Sequence, residues 1–598
     1  MDKDLQSIQE ARDLAERAHR ACLGFRSYSQ AQVDAIVTAM AAAAGQHAER
    51  LARMAVEETG YGRAEDKLQK NLFAAQRVFS AIRDLKTIGI VNEKKDEGII
   101  EIATSVGVVA AILPSTNPTS TAIYKILIAI KSGNSIVISP HPSAMRCICE
   151  TVGIMAQAAR AQGAPEDLIC CFGQPTMAGT QELMRHRRTS VILATGGMGI
   201  VKAAYSSGKP AFGVGPGNVP AFIDRSARLE KAVADVVAGK TFDWGTICSS
   251  EQALVAEHAL REPVLAELRK QRAQFLSPEE IQKLGRVLIL PDSFTVNPRC
   301  VGQSPQKLGE LSGIAVAPDT RVLIAELPGM GREHPLSAEK LSPVLALYFV
   351  QDREAAYQLC RNLLHFGGLG HTCVIHAQDD VVIREYGERM PAFRIVVNSP
   401  APQGSIGATT RLFPAMTLGC GAAGGNITSD NIGPQHLINL KRIAYEQQTD
   451  GASAKIPPVT AGASAPAAAA CACRQVAVES PAPAQPSSAA VDRGEIRRIV
   501  DRFLTEKGLK PPAASNPPAL AAPMPSAATD AGVASNAATD RADKPAPATR
   551  QPLDFVCEAD VRDALRKGTR LAIGPKTLLT PAARDLGQDH NIFDLIAP

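Results

Sequence analysis

Residues 190–199 read SVILATGGMG, a short apolar run that passes directly into a glycine turn. The apolar run has the length and composition of a buried strand, and a helical pattern begins near Ile200. Such a turn leaves backbone N–H groups free at a helix N-terminus, where a pyrophosphate can bind. The stretch therefore predicts an α/β fold with a nucleotide-binding turn at Thr195, Gly196 and Gly197. Because glycine turns are common, this motif alone does not decide the function.

The same alternation of strands and helices extends over about the first 450 residues. The predicted helices are residues 4–23, 30–58 and 65–85, and the predicted strands are residues 107–113, 135–139, 190–194, 253–256, 286–290, 322–325, 344–349 and 373–376. Strands that alternate with helices pair in parallel, so we expect sheets covered by helices on both faces. There is no internal repeat and no phosphate loop of the GxxxxGKS or GxxxxGKT type.

Composition excludes several classes of function. The chain has 598 residues, enough for two to four domains, and 45% of them are hydrophobic, as in proteins with a sizeable core. The 64 basic and 60 acidic residues nearly cancel, and only 4% of residues are aromatic. Without a basic surplus or many aromatic side chains the chain is a poor binder of nucleic acid, so we expect none as a partner.

No segment predicts a membrane or secretory protein. The N-terminal residues are polar, unlike a signal peptide, and the most apolar run, residues 122–138, is interrupted by Lys125 and Lys131. A spanning helix needs about 20 apolar residues, so this run is interpreted as a buried helix and strand. The 13 cysteines show no CxxC spacing, which favours free thiols in a reducing cytoplasm and no metal site.

The composition changes near residue 450. Residues 446–490 and 509–550 are dominated by Ala, Pro, Ser and Thr, so they are predicted to be disordered linkers. Residues 491–508, between them, predict a helix with one apolar stripe, and residues 551–598 predict a small C-terminal module. The stripe consists of Ile496, Ile499, Val500, Phe503 and Leu504. An isolated helix of this length is marginal in water, so it needs a partner surface, on another protein or on the rest of this chain.

Two strand-end motifs hold candidate functional residues. Asn117 follows a predicted strand and lies between Pro114 and Pro118, where a restrained backbone suits an amide that donates to an oxyanion. An Asx turn is the simpler interpretation of that motif taken alone. Ser139 and His141 end the next strand, where nucleotides bind in open α/β sheets, although a lone histidine is more often structural.

Cys248 stands in a polar stretch, TICSSEQ, at residues 246–252, downstream of a second glycine-rich stretch at residues 213–218. A free thiol is mostly protonated at neutral pH unless its surroundings stabilise the thiolate. One cysteine among 13 is a poor candidate for catalysis by itself. The order and spacing of all these motifs make Cys248 the candidate nucleophile.

Taken in series, these segments resemble the aldehyde dehydrogenase superfamily, specifically its CoA-acylating branch of acetaldehyde and propionaldehyde dehydrogenases. Further matching stretches are residues 106–142, 240–243, 334–335, 339–344, 367–372 and 403–407. The resemblance implies an aldehyde dehydrogenase fold. In that fold a Rossmann-like NAD-binding domain (residues 1–225 and 425–445) accompanies an α/β catalytic domain (residues 226–424).

The resemblance also implies roles for single residues. It places the nucleophile at Cys248 and the oxyanion-binding amide at Asn117, and it makes His371 a candidate for acyl transfer to CoA. The implied cofactor-binding residues are Ser139, His141, Thr195, Gly196, Gly197 and Glu339. Glu339 would contact the nicotinamide ribose. His141 stands where hydrolytic relatives carry a lysine for the adenosine ribose, which favours NAD over NADP without deciding between them.

The sequence differs from that of hydrolytic aldehyde dehydrogenases in one loop, and this difference affects which product is expected. Hydrolytic relatives carry a Glu-Leu-Gly-Gly-type motif whose glutamate activates water, but the corresponding loop here, beginning at Gly213, holds no carboxylate. Without a general base, water attacks a thioester poorly. The expected function is oxidation of acetaldehyde or propionaldehyde by NAD, with transfer of the acyl group to CoA. The alternatives are sulfoacetaldehyde or succinate semialdehyde as substrate, or an inactive scaffold protein.

Residues 491–508 resemble the encapsulation peptides of bacterial microcompartment enzymes, which dock their apolar stripe onto shell proteins or co-cargo. The resemblance implies a cytoplasmic enzyme packaged in a microcompartment lumen, and we expect a homo-oligomer.

Overall fold

The computed structural model describes residues 2–446 and, in the C-terminal part, residues 553–556, 558–579, 583–584, 586–587, 590 and 592–595. They belong to two compact units, Met1–Ala461 and Gly462–Pro598. The predicted helix at 491–508 and the two predicted linkers lie outside the described residues, apart from position 446. Among the described residues, no helix is long and apolar enough to cross a membrane, and no cluster of three or more His, Cys, Asp or Glu is placed to hold a metal ion.

The larger unit alternates helices and strands along the chain. Its helices are α1 (Lys3–Phe25), α2 (Gln30–Gln46), α3 (Ala48–Thr59), α4 (Ala64–Leu72), α5 (Phe79–Ile82), α6 (Pro118–Lys131), α7 (Met145–Ala161), α8 (Met177–Arg185), α9 (Met198–Tyr205), α10 (Leu229–Thr241), α11 (Arg261–Lys270), α12 (Pro278–Leu288), α13 (Pro305–Ser312), α14 (Arg353–Phe366), α15 (Asp380–Arg389) and α16 (Ala401–Ser405). Its strands are β1 (Gly89–Lys94), β2 (Ile99–Ser105), β3 (Val108–Ile112), β4 (Ser135–Ser139), β5 (Ile169–Cys171), β6 (Thr189–Thr195), β7 (Ala211–Val214), β8 (Val219–Ile223), β9 (Glu251–Glu257), β10 (Ala273–Phe275), β11 (Ile289–Leu290), β12 (Thr295–Val296), β13 (Val322–Glu326), β14 (Val344–Val350), β15 (Cys373–His376), β16 (Ile395–Val397) and β17 (Ile438–Ala444).

Two parallel sheets organise this unit. The first has five strands in the order β5-β4-β3-β6-β7, and the second has seven in the order β10-β13-β14-β9-β8-β15-β16. A third sheet, β1-β2-β17, is antiparallel. The prediction of an α/β fold with parallel sheets is confirmed.

Each parallel sheet is buried on both faces, which explains why its strands are continuous apolar runs. In β3, Val109 and Ala111 pack with α2, α6 and α7, whereas Val108, Ala110 and Ile112 face α1 and α8. The second sheet divides in the same way, with α12, α14 and α15 on one face and α10 and α11 on the other.

Three predicted elements differ from the structure. The helix predicted at 30–58 is two helices, α2 and α3, which meet at His47. The helix predicted at 65–85 contains a π-helical turn, Phe73–Val78, between α4 and α5. The strand predicted at 286–290 is wrong, because α12 continues to Leu288 and only the next two residues pair in a strand.

The reason for the wrong strand lies in the start of α12. Ser277 and Glu280 form a capping box ahead of an amphipathic helix, and Leu284 and Leu288 occupy its buried face. The apolar residues at the helix end therefore belong to a helical stripe and not to an extended run.

The chain changes sheet between β7 and β8, at residues 215–218. The division between domains predicted at residue 225 falls after β8, which pairs in the second sheet, and it stays a prediction. The chain returns to the core of the first sheet with Ala415, Ile432 and Leu437.

The smaller unit contains β18 (Leu553–Val556), α17 (Glu558–Lys567), β19 (Leu571–Leu579) and β20 (Phe593–Leu595). The three strands form a parallel sheet in the order β18-β19-β20. Val556, Val561 and Ile573 belong to its core.

Candidate active site

A cavity of about 580 Å³ lies at the carboxyl ends of the first sheet. The last residues of β3, β4 and β6 lie on its wall. The predicted site residues that line it are Asn117, Ser139, His141, Thr195, Gly196, Gly197, Cys248 and Glu339. The fold thus brings together in one cavity residues that are widely separated in the sequence.

One end of the cavity has the features of an anion site. Gly197 precedes α9, and Gly199 and Ile200 of the first turn of that helix line the cavity. The hydroxyl of Thr195 is buried and has no hydrogen-bond partner among the described residues. An unpaired hydroxyl beside a helix N-terminus fits an anionic group such as a pyrophosphate.

Ser139 and His141 lie on a neighbouring part of the wall. The hydroxyl of Ser139 shares a hydrogen bond of 2.8 Å with that of Thr180, which also lines the cavity. Nδ1 of His141 accepts from the N–H of Ser143 at 3.1 Å, so this histidine also caps the short turn that follows it. Burial lowers the pKa of His141, so the ring is neutral at pH 7.

Cys248 lies between the turn Phe242–Gly245 and β9. Gly217 passes directly against it, because a Cβ on Gly217 would overlap the carbonyl oxygen of Cys248. Burial, followed by the negative charges of Glu339 and Cys420, raises the pKa of Cys248 to about 12, and Arg394 opposes this. The thiol is therefore protonated at neutral pH in this arrangement, and it becomes a strong nucleophile only when that proton is removed.

Asn117 lies beside the segment that leads to Cys248. It precedes α6, but its side chain makes no capping hydrogen bond to that helix. Its Nδ2 donates instead to Thr116 Oγ1 at 3.2 Å and to the carbonyl oxygen of Thr246, two residues ahead of Cys248, at 3.4 Å. The amide thus links its own loop to the segment that leads to Cys248, and the Asx turn considered for this motif does not explain its orientation.

A buried network of charged side chains, which no sequence pattern indicated, contacts the Asn117 side chain on the side away from Thr246. Lys67 and Lys70 of α4 are each 2% exposed, and both form ion pairs with the fully buried Asp243. Lys70 Nζ also lies 2.6 Å from Oδ1 of Asn117. Lysine side chains are usually exposed to solvent. The sequence pattern of a polar helix face is the same whether that face meets solvent or a buried carboxylate. For this reason the network could not be predicted from the sequence.

His371 is buried but does not line the cavity. It lies behind Gly217, whose Cβ would come within 3.3 Å of the imidazole Cγ and Nδ1. Its Nδ1 hydrogen-bonds with Thr372 Oγ1 at 3.0 Å, and Nε2 has no partner among the described residues. Burial, together with Arg394, lowers the pKa of His371 to about 3, so the ring is neutral.

Glu339 is the one acidic residue among those that line the described cavity. Its Oε1 accepts the N–H of Gly217 at 3.0 Å. Burial raises the pKa of Glu339 to about 7, although that hydrogen bond and the charges of Lys240 and Lys340 oppose the shift. The loop at 213–218 contributes no carboxylate, so no second acidic group of the described cavity faces Cys248.

Comparison with known proteins shows similarity to aldehyde dehydrogenases. A model of the aldehyde dehydrogenase family matches residues 2–280. The bifunctional aldehyde-alcohol dehydrogenase AdhE of Escherichia coli K12 is 42% identical over 443 residues, which cover 73% of this chain and 50% of that protein. The chain therefore spans about half the length of this curated relative.

Two solved structures are similar over their whole length. An acetylating aldehyde dehydrogenase from Geobacillus thermoglucosidasius is 52% identical, with a TM-score of 0.74, over 76% of this chain and 100% of that one. A propionaldehyde dehydrogenase from the fucose utilisation bacterial microcompartment of Clostridium phytofermentans is 29% identical, with a TM-score of 0.65, over 72% of this chain and 96% of that one.

The raised pKa of Cys248 predicts its alkylation profile. In the protein without cofactor, iodoacetamide should modify Cys248 slowly at pH 7, because the thiol is protonated there. The rate should rise about tenfold for each pH unit up to pH 10, since the thiolate fraction does so below the pKa. Mass spectrometry of the peptide that contains Cys248 separates this rate from those of the other cysteines. A rate that levels off below pH 9 would contradict the raised pKa.

Proposed function

The chain belongs to the aldehyde dehydrogenase family, and we propose that it is a CoA-acylating member that converts a short aldehyde, CoA and NAD to an acyl-CoA and NADH. The observation that carries this proposal is the surroundings of Cys248. The thiol lies in a cavity whose acidic lining residue, Glu339, is bound to Gly217, and the loop at 213–218 lacks the carboxylate that would activate water.

In the proposed mechanism, Cys248 loses its proton and the thiolate attacks the aldehyde carbonyl carbon. The Asn117 amide and the backbone N–H of Cys248 donate to the resulting oxyanion, and one such donor is worth about 2.7–4 kcal/mol in the transition state. The nicotinamide ring, when bound, supplies the hydride acceptor. The proton of Cys248 goes to solvent, and loss of a hydride from the attacked carbon leaves the acyl group bonded to Cys248 as a thioester. The CoA thiol then attacks the thioester carbonyl, the bond between that carbon and the Cys248 sulfur breaks, and the proton of the CoA thiol returns to the Cys248 sulfur.

Positions in the cavity support the proposed cofactor-binding roles. Thr195, Gly196 and Gly197 would hold the pyrophosphate, as the unpaired Thr195 hydroxyl and the start of α9 support. Ser139 and His141 would contact the adenosine ribose, and Glu339 the nicotinamide ribose.

His371 is proposed to act on the CoA side of the reaction. Its Nε2 is buried and has no hydrogen-bond partner among the described residues, and its ring packs behind Gly217. A buried polar atom usually has a partner, and we propose that Nε2 makes a polar contact with the reacting groups only during acyl transfer. Its low pKa means that it would act as a neutral ring.

The cavity favours a small uncharged aldehyde over an anionic one. No lysine or arginine is among the residues that line it in the described chain. Its apolar wall includes Leu113, Ile247, Ile406, Met416 and Leu418. Succinate semialdehyde or sulfoacetaldehyde would bury an uncompensated negative charge there, which is costly, so acetaldehyde and propionaldehyde are the proposed substrates.

Replacing the nucleophile tests this proposal. Cys248→Ala should abolish CoA-dependent NADH formation, whereas Cys149→Ala, a partly exposed cysteine away from the cavity wall, should retain normal turnover. The readout is NADH absorbance with acetaldehyde and CoA, together with chromatography of the product. Near-normal turnover of Cys248→Ala, or mostly free acid as product in the presence of CoA, would refute the acylating assignment. Inactivity of the wild type would favour the scaffold alternative.

The C-terminal part suggests where the enzyme works. We propose that residues 491–508 form an encapsulation peptide, as their apolar stripe and their place between Ala- and Pro-rich stretches suggest. The likeness to a propionaldehyde dehydrogenase from a microcompartment supports this. The proposed partners are shell proteins or co-cargo, and the proposed location is the lumen of a cytoplasmic microcompartment. The proposed oligomeric state is a homo-oligomer.

A fusion experiment tests the packaging. Residues 491–508 fused to a fluorescent protein should form puncta in cells that express microcompartment shell proteins. A matched fusion that carries Ile499→Asp and Phe503→Asp should stay diffuse, because the charges interrupt the apolar stripe. Diffuse fluorescence of the unaltered fusion would count against encapsulation.

A further inference from the structure

The amide of Asn117 is held from behind by a buried lysine. Lys70 Nζ lies 2.6 Å from Oδ1 of Asn117, and the lysine side chain is 2% exposed. On the other side, Nδ2 of Asn117 donates to the carbonyl oxygen of Thr246 at 3.4 Å. Asn117 and Thr246 both line the cavity that contains Cys248. The two ends of one amide thus contact a lysine and the segment that carries the nucleophile.

This contact determines which way the amide points. An ammonium group is a hydrogen-bond donor only, so the amide atom beside it must be the oxygen. The amide nitrogen therefore turns to the opposite side, where it donates to Thr116 Oγ1 at 3.2 Å and to the carbonyl oxygen of Thr246 at 3.4 Å, both residues of the cavity lining. Burial lowers the pKa of Lys70 to about 8, and Asp243 opposes this, so the lysine is mostly protonated at neutral pH.

Lys70 is itself fixed by Asp243. The carboxylate of Asp243 pairs with Lys70 and, at 3.0 Å, with Lys67, and it also accepts the hydroxyl of Thr246. Gly62 permits this arrangement, because a Cβ there would overlap the carboxylate. The ion pairs tie α4 to the segment that leads to Cys248, so Lys70 has little freedom to move away from Asn117.

We propose that Lys70 is a positioning residue that directs the Asn117 amide nitrogen towards the oxyanion formed at Cys248 and polarises that amide through its charge. The inference rests on the proposed function, since it concerns the oxyanion of that reaction. Polarisation follows because a cation at the amide oxygen withdraws electrons from the nitrogen and strengthens its N–H donors.

Lys67 provides the matched control. It lies on the same helix, is buried to the same extent and pairs with the same carboxylate. Its Nζ bonds the main-chain oxygen of Thr116 at 3.0 Å and makes no hydrogen bond to the Asn117 side chain. A purely structural role of the ion pairs predicts similar effects for both lysines, whereas positioning of Asn117 predicts a larger effect on turnover for Lys70.

The test compares Lys70→Met, Lys67→Met, Asn117→Ala and the double variant Lys70→Met/Asn117→Ala. With saturating NAD and CoA, Lys70→Met should lower kcat about 10- to 100-fold with little change in the KM for aldehyde, as expected when a transition-state donor is misdirected. Lys67→Met should lower kcat less than about threefold. The double variant should turn over no more slowly than Asn117→Ala, because without the amide there is nothing left to position.

Equal losses of kcat in the two lysine variants, or an additive double variant, would overturn the proposal. If Lys70→Met does not fold, Lys70→Arg decides, because it keeps a donor-only cation and should retain most of kcat, whereas Lys70→Gln should lose it. Similar kcat in the Arg and Gln variants would also overturn the proposal. CoA-dependent NADH formation by the wild type tests the proposed function separately, so the two failures are distinguishable.

Discussion

The close approach of Gly217 to Cys248 is the constraint on which the rest of the site depends. Gly217 touches the carbonyl of Cys248, donates its N–H to Glu339 and leaves room for the ring of His371 behind it. A side chain at this position would push all three apart. The loop at 213–218 supplies backbone and no carboxylate, so an acyl group on Cys248, as proposed, would have no carboxylate of this loop to activate water against it.

The two parallel sheets explain how distant residues reach this point. The proposed cofactor-binding residues, apart from Glu339, lie at or just after the ends of strands in the first sheet, and Cys248 leads into the second sheet at β9. The chain passes from the first sheet to the second at residues 215–218. Gly217 of this connecting segment packs directly against the carbonyl group of Cys248. The position of the active site is therefore a consequence of the topology.

The sequence predicted those parts of the site that local patterns reveal. Strand ends and a glycine turn drew attention to Asn117 and Thr195, whereas Cys248 was singled out by the order of the motifs and the family resemblance. The structure brings these three residues into one cavity. The sequence could not reveal Lys70, whose role depends on a partner in another element and whose residue type usually meets solvent. The sequence also could not show that His371 lies behind the cavity wall. How far a side chain lies from a cavity is determined by tertiary packing, which a local sequence pattern does not reveal. The strand predicted at 286–290 is wrong because Val287 and Leu288 end a helix, and only Ile289 and Leu290 pair in a strand.

In the proposed reaction the acyl group on Cys248 leaves to CoA and not to water. This is tested by mixing the enzyme with aldehyde and NAD in the absence of CoA, and by following NADH together with the mass of the peptide that contains Cys248. We expect a burst of about one NADH per active site and an acylated Cys248 that persists, followed by renewed NADH formation when CoA is added. Continued NADH formation with release of free acid in the absence of CoA would contradict it.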